Sequence, residues 1–501
     1  MDKQQPYTYT TTFSSLQGRP IHAMMADTEK TNGDNHVSST TTLVDWDGPN
    51  DPHKPYNWSM SKKILVTLAS GTCTFVVSFS SSAFAPARGV AAAQFGTSEV
   101  VMSLPVSLFL MGFVVGPLIF APLSEIIGHA SLLVIGIIGC GLFQVPFALA
   151  PNVGALLVSR FLQGALGSAA LAVGTGMLAE VYDLVPRGVA VSSAACCMNS
   201  ASALAPVVMS YVVADLTWRW IGWITLILIV AAGAAGPFIL HETSPKIILL
   251  RKARRLRSET GDLSLVTKYS DDKVDFRQLV QRYLFVPIRM LWTETILLVL
   301  TLYMTFVWGT LYLSYQMFPI SFRQRGWSDP VAHLPFLSVA LGIITAWGLF
   351  SLFTLTWYKE RVHRGATPED RLPPMICGSV ILPVALLWFG WSGGVHWMSQ
   401  VLACFFIGLS LQLIFMAGVV YIVDVYGANS NCAMSIQVVV RSFGAASFPL
   451  WCQAMYRSLG VPWSSTVLAC VAALMLPFPV LFMRHGKRVR AASKYAAPVV
   501  Y

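Results

Sequence analysis

Two arginines stand deep inside long apolar runs of the chain, Arg160 in LLVSRFLQGALG and Arg441 in IQVVVRSFGAAS. Each lies about 10 to 15 Å from the nearer end of its run at helical rise, and a charge so placed in lipid is costly on any scale. Each must therefore face a cavity or bond to carbonyls of a neighbouring helix. Gln163 and Gln437 stand one helical turn from Arg160 and Arg441, and Asn199 and Gln412 sit in other apolar runs as further hydrogen-bonding groups. Thr301, Thr305, Trp308, Tyr312 and Tyr315 recur at spacings of four, three, four and three, which places them on one helix face. An aromatic face with hydroxyls suits a planar, partly polar organic molecule, although the same stripe also suits helix-to-helix packing.

The acids point the same way. None of the 24 falls mid-run; Glu99, Glu125, Glu180, Asp183, Glu294 and Asp424 stand at run boundaries. Exchanging a cation for a proton commonly needs a buried carboxylate whose pKa desolvation has raised, so a neutral or anionic cargo is expected before a polyamine or cationic drug. Glu125, Glu180 and Asp424 remain as candidates for gating or coupling. Glu125 lies one turn before Gly128, where its carboxylate could accept hydrogen bonds from a neighbouring helix N-terminus.

Several chemistries are excluded. The nine cysteines form no CxxC pair and have no histidine at ligand spacing, so they read as small apolar residues, and no metal or disulfide is expected. Histidines and acids are scattered without HxxxD or HExxH, which argues against an integral-membrane enzyme. No GxxxxGK[ST] loop exists to cradle ATP, and no cofactor is expected.

The elements that position these residues follow from composition. Of 501 residues, 55% are hydrophobic and only 12% charged, against about a quarter charged in soluble domains. Apolar runs long enough to cross a bilayer as helices are expected at Ile64–Phe84, Val100–Ile119, Ser131–Ala150, Val153–Gly176, Gly188–Val213 and Trp220–Leu240, then at Thr295–Ile320, Leu334–Thr356, Pro374–Trp391, Trp397–Val420, Asn431–Tyr456 and Trp463–Met483. The expected organisation is a largely disordered cytosolic tail (1–63), a six-helix half (64–240), a basic linker (241–293), a second six-helix half (294–484) and a cytosolic tail (485–501). Most of the 34 lysines and arginines fall in the tails, the linker and the loops on their side, which predicts both termini inside. The net charge of +10 thus speaks of lipid headgroups, the densest run being RKARRLR (Arg251–Arg257), and not of nucleic acid. Asn57-Trp58-Ser59 is a glycosylation sequon that this placement leaves unused.

An internal echo supports two related halves: AEVYD (Ala179–Asp183) closes the fourth run and VDVYG (Val423–Gly427) the tenth. Paired halves with a site between them are a common build for secondary transporters. At this point the sequence resembles the major facilitator superfamily, and within it the fungal twelve-span drug:proton antiporters. GPLIFAPLSE with Gly128, including Gly116, Pro117 and Glu125, matches the loop motif between spans two and three. Leu157, Arg160, Gln163 and Gly164 match the fourth-span pattern. WDGP with Asn57 and Trp58, ETSPKIILLRKARRLR, GWS (Gly326–Ser328), PEDRLP (Pro368–Pro373) and RSFGAASFPL (Arg441–Leu450) match the fungal branch. Two places depart: His129 and Ala130 replace the two basic residues usual after the second glycine, and ALAPVVMS (Ala203–Ser210) keeps only Pro206 of the antiporter motif.

The resemblance implies an all-α membrane protein of twelve helices in two pseudo-repeated halves, monomeric and set in the plasma membrane. It implies alternating access driven by the proton gradient, with export of a drug, toxin or secondary metabolite. A nutrient importer or polyamine carrier of the same fold is the alternative, with an enzyme or a seven-span receptor further off.

Overall fold

The computed structural model describes residues 42–262, 264–269 and 281–496. Ten stretches are long and apolar enough to span a bilayer. One of them, Ser430–Ala491, reverses at Gly460 (φ 70°, ψ 174°), where Ser464 Oγ donates back to the Met455 carbonyl at 3.3 Å, so it holds two crossings. Trp220–Ile239 supplies the remaining one. The twelve helices are α1 (Met60–Ser82), α2 (Leu104–Ile127), α3 (His129–Ala148), α4 (Val153–Val181), α5 (Leu184–Asp215), α6 (Trp220–Ile239), α7 (Thr295–Arg323), α8 (Pro335–Phe353), α9 (Pro373–Trp391), α10 (Trp397–Tyr426), α11 (430–459) and α12 (461–475).

Packing repeats between the halves. In the first, α1 packs on α5 and α2 on α4; in the second, α7 packs on α11 and α8 on α10. Glycines set the closest of these approaches. A Cβ on Gly112 would lie 2.3 Å from the Ala165 amide nitrogen and one on Gly164 2.0 Å from the Phe109 carbonyl. In the other half, a Cβ on Gly342 would lie 2.2 Å from the Phe405 carbonyl and one on Gly408 2.4 Å from the Val339 carbonyl. Small residues that let backbones touch replace the hydrophobic drive that lipid cannot provide. The halves meet along two seams, α2 against α11 and α5 against α8.

The helices outrun their expected apolar cores. GPLIFAPLSEII is helical throughout, with Pro117 and Pro122 inside α2, so the expected loop shrinks to Gly128 (φ 101°, ψ 162°) before α3 begins. Likewise α10 runs on to Tyr426, and after Leu476 a helix continues over Pro477–Ala491, into the expected C-terminal tail. These extra turns carry charge and lie beyond the apolar runs, which is why hydropathy did not include them.

The part of the expected N-terminal tail from Thr42 onward is folded; residues 1–41 lie outside the described residues. Thr42–Leu43 pairs in parallel with Leu265–Val266 of the linker. Asp51 gathers DWDGPNDP by accepting from the Asp47 amide at 3.0 Å and the His53 amide at 2.8 Å, while Lys252 of the linker helix Pro245–Thr260 bonds the Asp47 carboxylate at 2.6 Å. Burial pushes the Asp51 carboxyl pKa up, but these amides, the His53 ring and Lys252 together hold it below the usual carboxylate value.

Candidate substrate path between the halves

The centre of the molecule is a polar and aromatic knot contributed by both halves. Asn199 of α5 donates to Gln412 of α10 at 2.6 Å and accepts from Trp308 Nε1 of α7 at 3.3 Å. Tyr312 shares a hydrogen bond with Ser81 of α1 at 2.8 Å, and the rings of Trp308, Tyr312 and Tyr315 follow one another at 5.6 and 5.2 Å. Thr305, on the same α7 stripe, packs its methyl where a Cβ on Gly444 would stand, 2.1 Å away. The stripe thus serves packing at Thr305 and the space between the halves from Trp308 onward.

The two deep arginines live differently. Arg160 donates from Nη1 to the Ser80 carbonyl at 2.9 Å and to Gln163 at 3.2 Å, and from Nη2 to the Ser81 carbonyl at 3.3 Å. Phe109 and Phe147 face its guanidinium at 5.0 and 5.1 Å, and Gln163 goes on to the Phe143 carbonyl at 2.8 Å. Arg160 therefore ties α4 to α1 inside the first half. Arg441 lies over the Trp308 ring at 3.6 Å and the Phe415 ring at 5.0 Å, and lines a cavity of about 60 Å³ with Gln437, Thr74, Met198 and Phe415.

A larger cavity, about 350 Å³, opens toward the face that carries the linker. Glu125, His129, Glu180, Lys246, Asn431 and Ser435 line it. Both openings run along α4 and α11: Gly176, Asn431 and Ser435 border the outer one, and Gly174, Met434, Gln437 and Arg441 the inner. The two cavities lie one after the other along these helices, between the linker face and Arg441. On the opposite face both seams are bridged, Gln453 to Glu99 between α11 and α2, and Ser210 to the Pro330 carbonyl at 3.4 Å beside α5 and α8.

The echoed motifs form matching clamps at the linker face. Glu180 pairs with His129 at 3.1 Å, and Asp424, the corresponding acid, pairs with Arg371 at 3.0 Å. Their tyrosines also correspond: Tyr182 bonds Thr67 of α1 at 2.9 Å, and Tyr426 donates to Glu294, which starts α7, at 3.4 Å. Each clamp is braced by the chain leaving its half. After α6, Glu242 accepts from the amides of His129, Thr243 and Ser244 at 3.0 to 3.1 Å, capping α3. A Cβ on Gly128 would strike that carboxylate, 2.1 Å away. After α12, Arg490 pairs with Glu369 by two bonds of 2.7 and 2.8 Å.

The seams differ at the linker face, where Arg371 donates to the Leu184 carbonyl at 3.0 Å across the α5–α8 side. Arg187, seven residues after Glu180, crosses to Asp424 at 2.7 Å and closes the α5–α8 side. The residue seven after Asp424 is Asn431, which lines the open cavity beside Glu180. Glu125 accepts the Tyr283 hydroxyl and Glu242 occupies the N-terminus of α3. Sequence reasoning did not single out Arg187 or Arg490, and it took Glu242, Glu369 and Arg371 only as members of the ETSPK and PEDRLP stretches, with no role assigned. The AEVYD and VDVYG echo was the available signal, since it marks both clamp acids. Among the described residues, no group of three or more His, Cys, Asp or Glu side chains could hold a metal ion.

Two six-helix halves, joined by a linker and enclosing a central polar site with access from one face, define a polytopic membrane transporter. The chain belongs to the Major Facilitator Superfamily, whose profile matches residues 71–449. It is 38% identical over 474 residues to the citrinin biosynthesis cluster transporter of Monascus ruber, covering 93% of this chain and 95% of that one. It is 40% identical over 463 residues to the ascochitine biosynthesis cluster transporter of Didymella fabae, with 91% and 89% covered. Among solved structures, a proton:xylose symporter bound to 6-bromo-6-deoxy-D-glucose shares the fold, with a TM-score of 0.65 at 15% identity over 85% of this chain and 97% of that one.

Proposed function

We propose that this transporter exports a small organic compound, in the class of a secondary metabolite or toxin, from the cytosol across the plasma membrane, working as a monomer. The carrying observation is the stepped opening along α4 and α11, from the linker-face cavity to the space beside Arg441. The excess of lysine and arginine in the linker, the tails and the loops on their side assigns that face to the cytosol. Relatives named for biosynthesis clusters support a metabolite as cargo.

Alternating access follows from the geometry. Closure of the linker face requires α2 and α11 to meet over Glu180 and Asn431, and release requires the opposite-face bridges at Gln453–Glu99 and Ser210–Pro330 to part. Proton linkage falls to the boundary carboxylates Glu125, Glu180 and Asp424, since among the described residues no acid lies mid-span; protonation of Asp424 weakens its hold on Arg187 and Arg371. The test is cellular retention of a panel of aromatic compounds in a transporter-depleted fungal host, with and without an uncoupler. Export predicts lower retention of at least one compound, restored by the uncoupler. Higher retention would reverse the direction to import, and an uncoupler-insensitive effect would remove the proton from the cycle.

A further inference from the structure

Arg441 is a buried cation whose charge is met only by ring faces. Among the described residues, Arg160, Arg371 and Arg490 are also buried, but each is held by carbonyls, an amide or carboxylates. Arg160 and Arg371 each leave one guanidinium nitrogen without a partner, whereas Arg441 leaves both Nε and Nη1, at 2% exposure. No acid lines the cavity that Arg441 borders. Trp308 and Phe415 stabilise the charge through their faces, which leaves the in-plane N–H donors uncommitted. Gln437, one turn away on the same cavity wall, has Nε2 on Met304 Sδ at 3.1 Å and Oε1 without a partner.

A guanidinium with free in-plane donors, shielded from water and lacking a counter-charge, is built for a planar anion. We infer that the cargo carries a carboxylate, that Arg441 binds it, and that Gln437 accepts from a hydroxyl beside it. This deepens the export reading and rests on it. The rest of the wall, with Met198, Phe415, Val419, Met434 and Val438, is apolar and suits an aromatic body. At about 60 Å³ the inner cavity admits the acid group alone, so the aromatic part lies toward the linker-face opening until the halves separate further.

The probes are 1-naphthoate, 2-hydroxy-1-naphthoate, methyl 1-naphthoate, 1-naphthamide and 1-naphthylmethylammonium, which share a ring system and differ in the group offered to Arg441. Binding is read by thermal stabilisation and calorimetry on the purified full-length protein, and transport in proteoliposomes. The carboxylates should bind at least about tenfold tighter than the ester and amide, as a site built around one polar group discriminates against analogues lacking it. The hydroxy acid should exceed the plain acid, and Gln437→Leu should remove that difference. Arg441→Gln should erase the preference for acid over ester, and Arg441→Lys should restore part of it, because charge survives but the planar fork does not. The wild-type preference series needs no variant, so it decides the matter even if Arg441→Gln does not fold. Equal binding of acid and ester, tightest binding of the ammonium compound, or binding of none would overturn the inference. Uncoupler-sensitive export of an ester or ammonium compound in cells would then leave the transport reading standing without it.

Discussion

Arg160 and Arg441 have similar positions in the sequence pattern and opposite bonding. Arg160 spends its donors on Ser80, Ser81 and Gln163 and is caged by phenylalanine rings. Its removal by Arg160→Met leaves two α1 carbonyls without their donors, and bonds to a charged group are each worth about 1.5 to 3 kcal/mol. The expected result is a loss of roughly 3 kcal/mol or more in the stability of the first half, seen as a lower melting temperature in detergent, with the order of cargo preference unchanged. Arg441→Gln should do the reverse, altering preference with little change in melting. A variant at Arg160 that kept wild-type melting but changed preference would put that residue in the cargo path. Both arginines were legible in the sequence as costly intramembrane charges. Which one was satisfied was not, because the answer lies in α1 carbonyls and in ring faces of α7 and α10, partners that sequence spacing does not bring together.

At the scale of elements, the linker-face ends of α4 and α10 carry the same clamp, and two arginine contacts, Arg187 to Asp424 and Arg371 to the Leu184 carbonyl, set the closed seam apart from the open one. Asp424 holds both Arg187 and Arg371, and Arg371 is fully buried against Tyr358 at 3.6 Å. Asp424→Asn strands that charge, and breaking a buried pair from one side costs about 3 to 5 kcal/mol. The second half should therefore melt earlier and the α5–α8 seam should open, read as faster amide exchange at residues 184–188. Asn431→Arg places a cation opposite Glu180, as Arg187 stands opposite Asp424 on the other seam, and should latch α4 to α11. Its expected signature is a higher melting temperature with slower turnover; unchanged turnover would mean that this seam does not gate. The weak AEVYD and VDVYG echo, read in the sequence as a sign of two related halves, lies at these clamps and carries their acids and tyrosines. Hydropathy stopped short of them because the last turns of α2, α4 and α10 are helical but charged. It missed Glu242 and Arg490 for a different reason, since each meets a partner more than a hundred residues away in the sequence (113 and 121).

At the scale of the molecule, twelve helices and a two-fold plan followed from the number of apolar runs and from the basic stretch dividing them, and the family profile and fold relatives agree. The relation between the halves was not legible, because it depends on which seams are bridged. On the linker face one seam is clamped and the other holds a cavity of about 350 Å³, while the opposite face is bridged on both. The proposed export path runs between α4 and α11, and a bond between those helices should stop transport. A Cβ on Gly176 would lie 3.6 Å from Asn431 Oδ1, so a short bifunctional methanethiosulfonate, reversible by reduction, can join cysteines at these two positions. The decisive measurement is uptake of a transported compound into inside-out vesicles by a Gly176→Cys, Asn431→Cys protein, with the exposed Cys377 and Cys470 replaced by serine. Cross-linking should arrest uptake and reduction should restore it, with neither single cysteine responding. Uptake at the uncrosslinked rate with the bridge fully formed would contradict a path along this seam.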